Sequence, residues 1–387
     1  MGQNLTRMYL IGLVAFVLFL STLVGVPVLP RLSAELGAGP AEIPMVVSAA
    51  LATVVAAQLF TGTLADRYAA RTLILAGALV GGLSSLLSAL AGHWTELLAL
   101  RVLGGLADAI AMPALLAITA RLGAGQPGRF FGILRGSQGL SFVVGPALGS
   151  LLSLASLRAP FVVDGVVSLV ACVAALALMP GGERAPSEHH LGVLRALRAT
   201  FSSGRVYLCL LMGVAGSFAY GILSGFVPAR AQSLDMAAWQ IGLIASGGAL
   251  VFSAVSYGIG PLTDRLGRRP FLLAAQAIIV ASGAGLAFAR GLPALAGLYW
   301  LFCAGETITY LLCFVYASEL FREEHVGASM GAFDSVLDLS LLLGPAAAIS
   351  LHRWAGTPTP AFLLAVLPAA LALFVLPGRL PRRAAAP

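Results

Sequence analysis

The sequence predicts an all-α membrane protein, with twelve transmembrane helices in two pseudo-symmetric six-helix halves. Three observations carry that expectation. Hydrophobic residues make up 59% of the 387 and charged residues 10%, whereas soluble domains carry about 25% charged residues. Twelve apolar runs reach the ~20 residues that a helix needs to cross the hydrocarbon core. A charged turn also occurs twice, as Gly62-Thr63-Leu64-Ala65-Asp66-Arg67-Tyr68-Ala69-Ala70-Arg71 and as Gly260-Pro261-Leu262-Thr263-Asp264-Arg265-Leu266-Gly267-Arg268-Arg269, with Asp66 and Asp264 separated by 198 residues.

The copying extends beyond the turn. Pro30 returns as Pro228, Ile43 as Ile241, Ser48 as Ser246 and Arg71 as Arg269, each at the same offset of 198. A duplication in register over this length is the mark of a two-fold transporter fold. The 45 glycines and 21 prolines would favour disorder in a polar chain; within apolar helices they permit close packing and kinks.

In chain order, the expected span cores run 8 to 29, 43 to 62, 72 to 92, 96 to 119, 130 to 153 and 159 to 179 in the first half. In the second they run 205 to 228, 239 to 260, 271 to 289, 294 to 317, 327 to 350 and 359 to 378. The first run is long enough to span and lacks a small-residue cleavage pattern, so it reads as a span and not a signal. Each copy of the turn joins the second and third spans of its half. A polar connector divides the chain into residues 1–180, a linker at 181–203, and residues 204–387. Within it His189 and His190 have no further ligand types beside them, so a solvated linker is expected and no metal.

The net charge of +7 comes from arginines dispersed in short loops, which fits membrane topology and not nucleic-acid binding. All 23 basic residues are arginine, a composition that reads as codon usage in a GC-rich genome. With the N-terminus in the cytoplasm, sixteen arginines fall inside and five outside, and Arg101 and Arg135 lie within spans. The positive-inside rule then puts both termini, the linker and both turns in the cytoplasm. Cys172, Cys209, Cys303 and Cys313 lie in apolar runs without metal or disulfide spacing. No phosphate loop or nucleophile triad is present, and no cofactor or enzymatic activity is expected.

A charge at a span centre costs about 2.5 to 3.5 kcal/mol on insertion scales, so each one needs a partner, water or a task. The set is Arg101, Asp108, Arg135, Glu306, Asp334 and Asp338. Asp108 lies about twelve residues into its span, roughly 18 Å deep, and its copy at offset 198 is Glu306. Two acids at equivalent depth suit proton uptake or recognition of a cation. Arg101 precedes Asp108 by two turns on nearly the same face. Asp334 and Asp338 form an i, i+4 pair of like charges that repel. Arg135 copies onto Asp334 at an offset of 199 and is a candidate ion partner for it. Asp164, near the end of its span, reads as a surface residue. Phe218, Tyr220, Tyr310 and Phe314 read as packing.

At these residues the chain resembles the major facilitator superfamily, and within it the twelve-helix drug:proton antiporters. The repeated turn is similar to the signature between the second and third helices, with Ala69 and Ala70 where the first copy usually has Gly and a basic residue. Arg101-Val102-Leu103-Gly104-Gly105 resembles the superfamily's fourth-helix motif. Gly132, Ser141, Gly145, Pro146 and Gly149 follow the antiporter spacing, with Ser141 and Ser150 replacing glycines, and the eleventh span repeats it as Gly331, Ser340, Gly344 and Pro345. Leu20-Ser21 before Pro27-Val28-Leu29-Pro30 resembles the first-helix motif, with Ser21 replacing Gly.

The resemblance implies that Asp66 meets the start of the eleventh span near Gly327 to Ser329, and Asp264 the start of the fifth near Gly128 to Phe130. It implies gating roles for Gly62, Asp66, Arg67, Arg71, Gly260, Asp264, Arg265, Arg268, Arg269, Gly145, Pro146, Gly344 and Pro345. The expected protein is a proton-coupled secondary transporter in a bacterial inner membrane, a monomer that exports small amphipathic compounds by alternating access. Its partners would be the substrate, protons and the lipid bilayer. An uptake symporter is the alternative, and a non-transporting receptor or scaffold a more distant one.

Overall fold

The computed structural model describes residues 2–178, 198, 201, 203–322 and 325–379. Most of the expected linker, with His189 and His190, lies outside the described residues. The first half consists of α1 (Gly2–Val24), the short α2 (Leu29–Glu35), α3 (Glu42–Thr61), α4 (Ala70–Leu90), α5 (Trp94–Leu122), α6 (Pro127–Leu152) and α7 (Ala159–Leu178). The second consists of α8 (Gly204–Gln232), α9 (Ala238–Leu266), α10 (Arg269–Leu286), α11 (Leu292–Leu320), α12 (Val326–Ala355) and α13 (Thr359–Arg379). Apart from α2 these are the twelve expected helices. Ten stretches among the described residues are long and apolar enough to cross a membrane. The two long helices outside that set are α6, which carries Arg129, Arg135 and Gln138, and α13, whose apolar stretch is Thr359–Phe374.

The chain forms two compact units. The first takes in Met1–Leu122, Ser137–Thr200 and Phe321–Ser335; the second takes in Gly123–Gly136, Phe201–Leu320 and Val336–Pro387. Within the first, α4 packs on α5 and α7, α3 on α5, and α1 on α7. Within the second, α10 packs on α11 and α13, α9 on α11, and α8 on α13. The second list is the first with each helix replaced by its counterpart, so the duplication in sequence is also a duplication in packing. Small residues bring the helices close: a Cβ on Gly165 of α7 would lie 2.9 Å from the Gly82 carbonyl oxygen of α4, and one on Gly305 of α11 would lie 2.9 Å from that of Ala275 on α10. Such approach replaces the hydrophobic driving force that lipid cannot supply.

The two copies of the turn end their helices differently. In the second, α9 runs on to Leu266 and stops at Gly267, whose φ of 83° lies in the region glycine tolerates. The equivalent residue of the first copy is Ala69, which takes φ −59° and ψ 136°. There α3 stops at Thr61 and residues 62–68 continue as turns.

Candidate functional site

The first four N–H groups of a helix lack partners inside it and carry partial positive charge. Both duplicated aspartates are placed on such groups. In the first unit, Asp66 accepts hydrogen bonds from the backbone N–H of Gly327 at 2.7 Å and of Ala328 at 2.9 Å, in the first turn of α12. In the second, Asp264 accepts from Gly128 at 3.0 Å and Arg129 at 2.9 Å, in the first turn of α6. These are the contacts that the resemblance implied. Pro127 begins α6 where its missing N–H costs nothing.

Glycines make room for these contacts. A Cβ on Gly62 would stand 2.9 Å from the Gly327 carbonyl oxygen, and one on Gly128 2.7 Å from Asp264 Oδ1. Gly260 faces the Gly128 carbonyl with no space for a side chain. Arg121 lies 3.7 Å from Asp66, and Arg268 lies 3.8 Å from Asp264 while also pairing with Glu319. Burial pushes the Asp66 carboxyl above its ordinary range, against the pull of the two N–H groups, Arg121 and His325. Of the other turn arginines, Arg71 donates to the Leu176 carbonyl, and Arg67 and Arg265 are exposed.

The motif in α6 packs on α1. Ser141 donates to the Phe16 carbonyl at 2.8 Å, and a Cβ on Gly145 would stand 2.6 Å from that of Leu23. In the second unit Gly344 of α12 approaches α8, where a Cβ would meet the Phe218 carbonyl oxygen at 2.7 Å. Pro146 and Pro345 both lie inside their helices.

The deep charges separate by unit. In the first, Arg101 is buried over the Phe161 ring, 5.5 Å from its centroid, and the carboxylates whose charge acts on it are Asp164 and then Asp108. Asp108 is half-buried and accepts from Thr22 at 3.5 Å. Asp164 is 2% exposed and accepts from Ser85 at 2.6 Å. The expectation of a surface Asp164 is therefore corrected: five residues into α7, it is buried and turned onto α4, where it meets the Ser85 hydroxyl.

In the second unit Glu306 is 5% exposed, and the charge acting on it is that of Arg135. The Arg135 guanidinium lies over Tyr310 at 4.6 Å and Phe314 at 4.3 Å, a cation–π arrangement. Tyr310 and Phe314 thus hold a buried cation as well as pack. Asp334, buried in α12, belongs to the first unit, and half-buried Asp338 to the second. No group of three metal-ligating side chains forms among the described residues.

The sequence pattern of the Major Facilitator Superfamily matches residues 11–345 and, in a second match, 209–387. The chain belongs to the Major Facilitator Superfamily. A solved structure, the human organic anion transporter MFSD10 (TETRAN), shares this superfamily fold with a TM-score of 0.81 and 20% identity, over 96% of this chain and 99% of that one. The quinolone resistance protein NorA of Staphylococcus aureus is 26% identical over 165 residues, 42% of either chain. The multidrug efflux protein YfmO of Bacillus subtilis is 26% identical over 249 residues, 62% of this chain and 59% of that one. The matched stretches span less than two thirds of these curated relatives. Membership in a family of transporters, together with the apolar helices, makes this a multi-pass membrane protein.

Sequence reasoning missed Arg121 beside Asp66, Glu319 beside Arg268, and Ser85 beside Asp164. The first two are charged residues at ends of helices, where topology alone accounts for a charge. For Asp164 the available signal was a lone acid inside an otherwise apolar run.

Proposed function

We propose that this chain is a proton-coupled secondary transporter that exports small amphipathic compounds by alternating access in a bacterial inner membrane. The observation that carries the reading is the pair Asp108 and Glu306. They occupy equivalent positions of α5 and α11, and each lies within electrostatic reach of an arginine inside a span. An acid at such depth is costly unless it has a task, and an acid beside a guanidinium exchanges a proton when that guanidinium moves. The efflux in the name of YfmO, with the quinolone resistance in that of NorA beside it, supports export over uptake. Asp66 and Asp264 would act as latches, released and reformed at the starts of α12 and α6 during the cycle. The inward placement of both termini rests on the distribution of arginine.

The test is substrate-dependent proton movement by purified protein in liposomes, with ethidium and a quinolone as probes and with both gradient directions imposed. Probe movement opposite to the proton supports export by antiport. Movement in the same direction as the proton makes the chain an uptake symporter.

A further inference from the structure

Helices α4 and α7 run antiparallel and are joined from end to end. Arg71, the second residue of α4, donates to the Leu176 carbonyl in the last turn of α7. Arg158, just before α7, donates to the Ala89 carbonyl in the last turn of α4 at 2.6 Å. The start of each helix thus supplies an arginine to carbonyls that the end of the other leaves unpaired. Between the ends, the Cys172 thiol donates to the Leu75 carbonyl at 3.8 Å, and Ser85 donates to Asp164 at 2.6 Å. At the crossing the main chains touch, since a Cβ on Gly82 would stand 3.1 Å from the Gly165 carbonyl oxygen. The pairs 71 and 176, 75 and 172, 82 and 165, and 89 and 158 keep one register: every step forward along α4 is matched by an equal step back along α7. A slide of one helix along the other would break all of them together.

The second half provides the comparison, because α10 and α13 are the corresponding pair and pack on each other in their own unit. At the offset of 198, Cys172, Ser85, Asp164 and Arg158 become Ala370, Gly283, Phe362 and Gly356, and only Arg71 keeps its type, as Arg269. Gly82 and Gly165 become Val280 and Leu363, so side chains stand where main chains touch in the first half. One close contact there is that of Gly283 with the Val366 side chain, and Ile279 and Phe362 belong to an apolar core. Apolar contacts are non-directional and tolerate a shift, whereas hydrogen bonds to fixed carbonyls weaken steeply out of line.

We infer that α4 and α7 form a fixed strut, and that α10 and α13 are the pair that changes register as the protein alternates between its two open states. Two halves that are duplicates in sequence and packing are then mechanically unlike. The inference rests on the alternating-access reading and deepens it, assigning the deformation to one half.

Two engineered disulfides in the full chain, in a background free of the four native cysteines, provide the test. Gly283→Cys with Val366→Cys joins α10 to α13, where a Cβ on residue 283 would stand 3.9 Å from that of Val366. Gly82→Cys with Ser168→Cys joins α4 to α7, where the same distance is 3.1 Å; natural disulfides have about 3.5 to 4.5 Å. Downhill ethidium exchange in liposomes is measured before oxidation, after it, and after reduction. Oxidation should lower exchange at least about tenfold in the α10–α13 variant, with recovery on reduction, and leave the α4–α7 variant within about twofold. Exchange lost in both variants, in neither, or in the α4–α7 variant alone overturns the inference. Monodisperse elution certifies folding.

Hydrogen–deuterium exchange of the native chain needs no transport probe. The first two turns of α13 should exchange at least about tenfold faster than those of α7, and Arg158→Gln should speed exchange at the end of α4 and the start of α7 together. Equal exchange in α7 and α13 also overturns the inference. If hydrogen exchange follows this pattern while the reduced variants move no ethidium in either direction, the unequal stiffness stands and the transport reading falls.

Discussion

Asp108 and Glu306 are each the only acid in the interior of an apolar run, and depth in a span can be counted along the chain. For that reason their depth in the spans was legible in the sequence alone. Their partners were less so. Arg101 shares a helix face with Asp108, a local relation, whereas the bond from Ser85 to Asp164 joins α4 to α7, a relation set by packing. The aromatic seat of Arg135 depends likewise on α11 meeting the start of α6. At this scale we expect Glu306→Gln to lower pH-driven ethidium accumulation at least tenfold, while ethidium binding measured by fluorescence stays within about threefold, because the amide mimics the protonated acid. Asp108→Asn should act the same way on flux. Normal uphill flux in both single variants and in the double variant would move coupling to Asp338.

Among the elements, the helix starts of α6 and α12 decide most. A buried carboxylate that loses its charge here leaves backbone donors poorly paired, at a cost of about 1 to 3 kcal/mol. Asp66→Asn should therefore loosen the first turn of α12. A cysteine placed at Ala328, which is 4% exposed, in a background free of native cysteines should react faster with a water-soluble maleimide when Asp66 is Asn. Equal rates would show that the contact does not hold the turn.

Gly145 is a separate case, since any side chain there meets Leu23. Gly145→Leu should lower the apparent melting temperature and slow flux, as overpacking costs about 1 to 3 kcal/mol. An unchanged flux would make this packing passive. The turns were readable because they are duplicated and charged. Their different helix ends were readable only in part, because Ala69 in place of Gly signals a change without saying where α3 stops.

For the whole molecule, the duplication at an offset of 198 dictated two halves with matching helices, and the packing of α4 on α5 and α7 repeats as α10 on α11 and α13. Hydropathy was enough for this, since an apolar chain has few folds that satisfy its backbone in lipid. The assignment of Pro127–Gly136 and Val326–Ser335 to the opposite unit was not legible, because it follows from glycine contacts such as Gly331 with Gln58 and Gly132 with Ser256. The central claim is export driven by proton exchange. Its most direct measurement is ethidium movement in liposomes loaded with acid buffer and diluted into alkaline buffer. The account predicts that ethidium accumulates inside as protons leave, and that the accumulation vanishes when an ionophore removes the gradient or when Glu306 is Gln. Accumulation only when the outside is the acid side, or accumulation indifferent to the gradient, would contradict it.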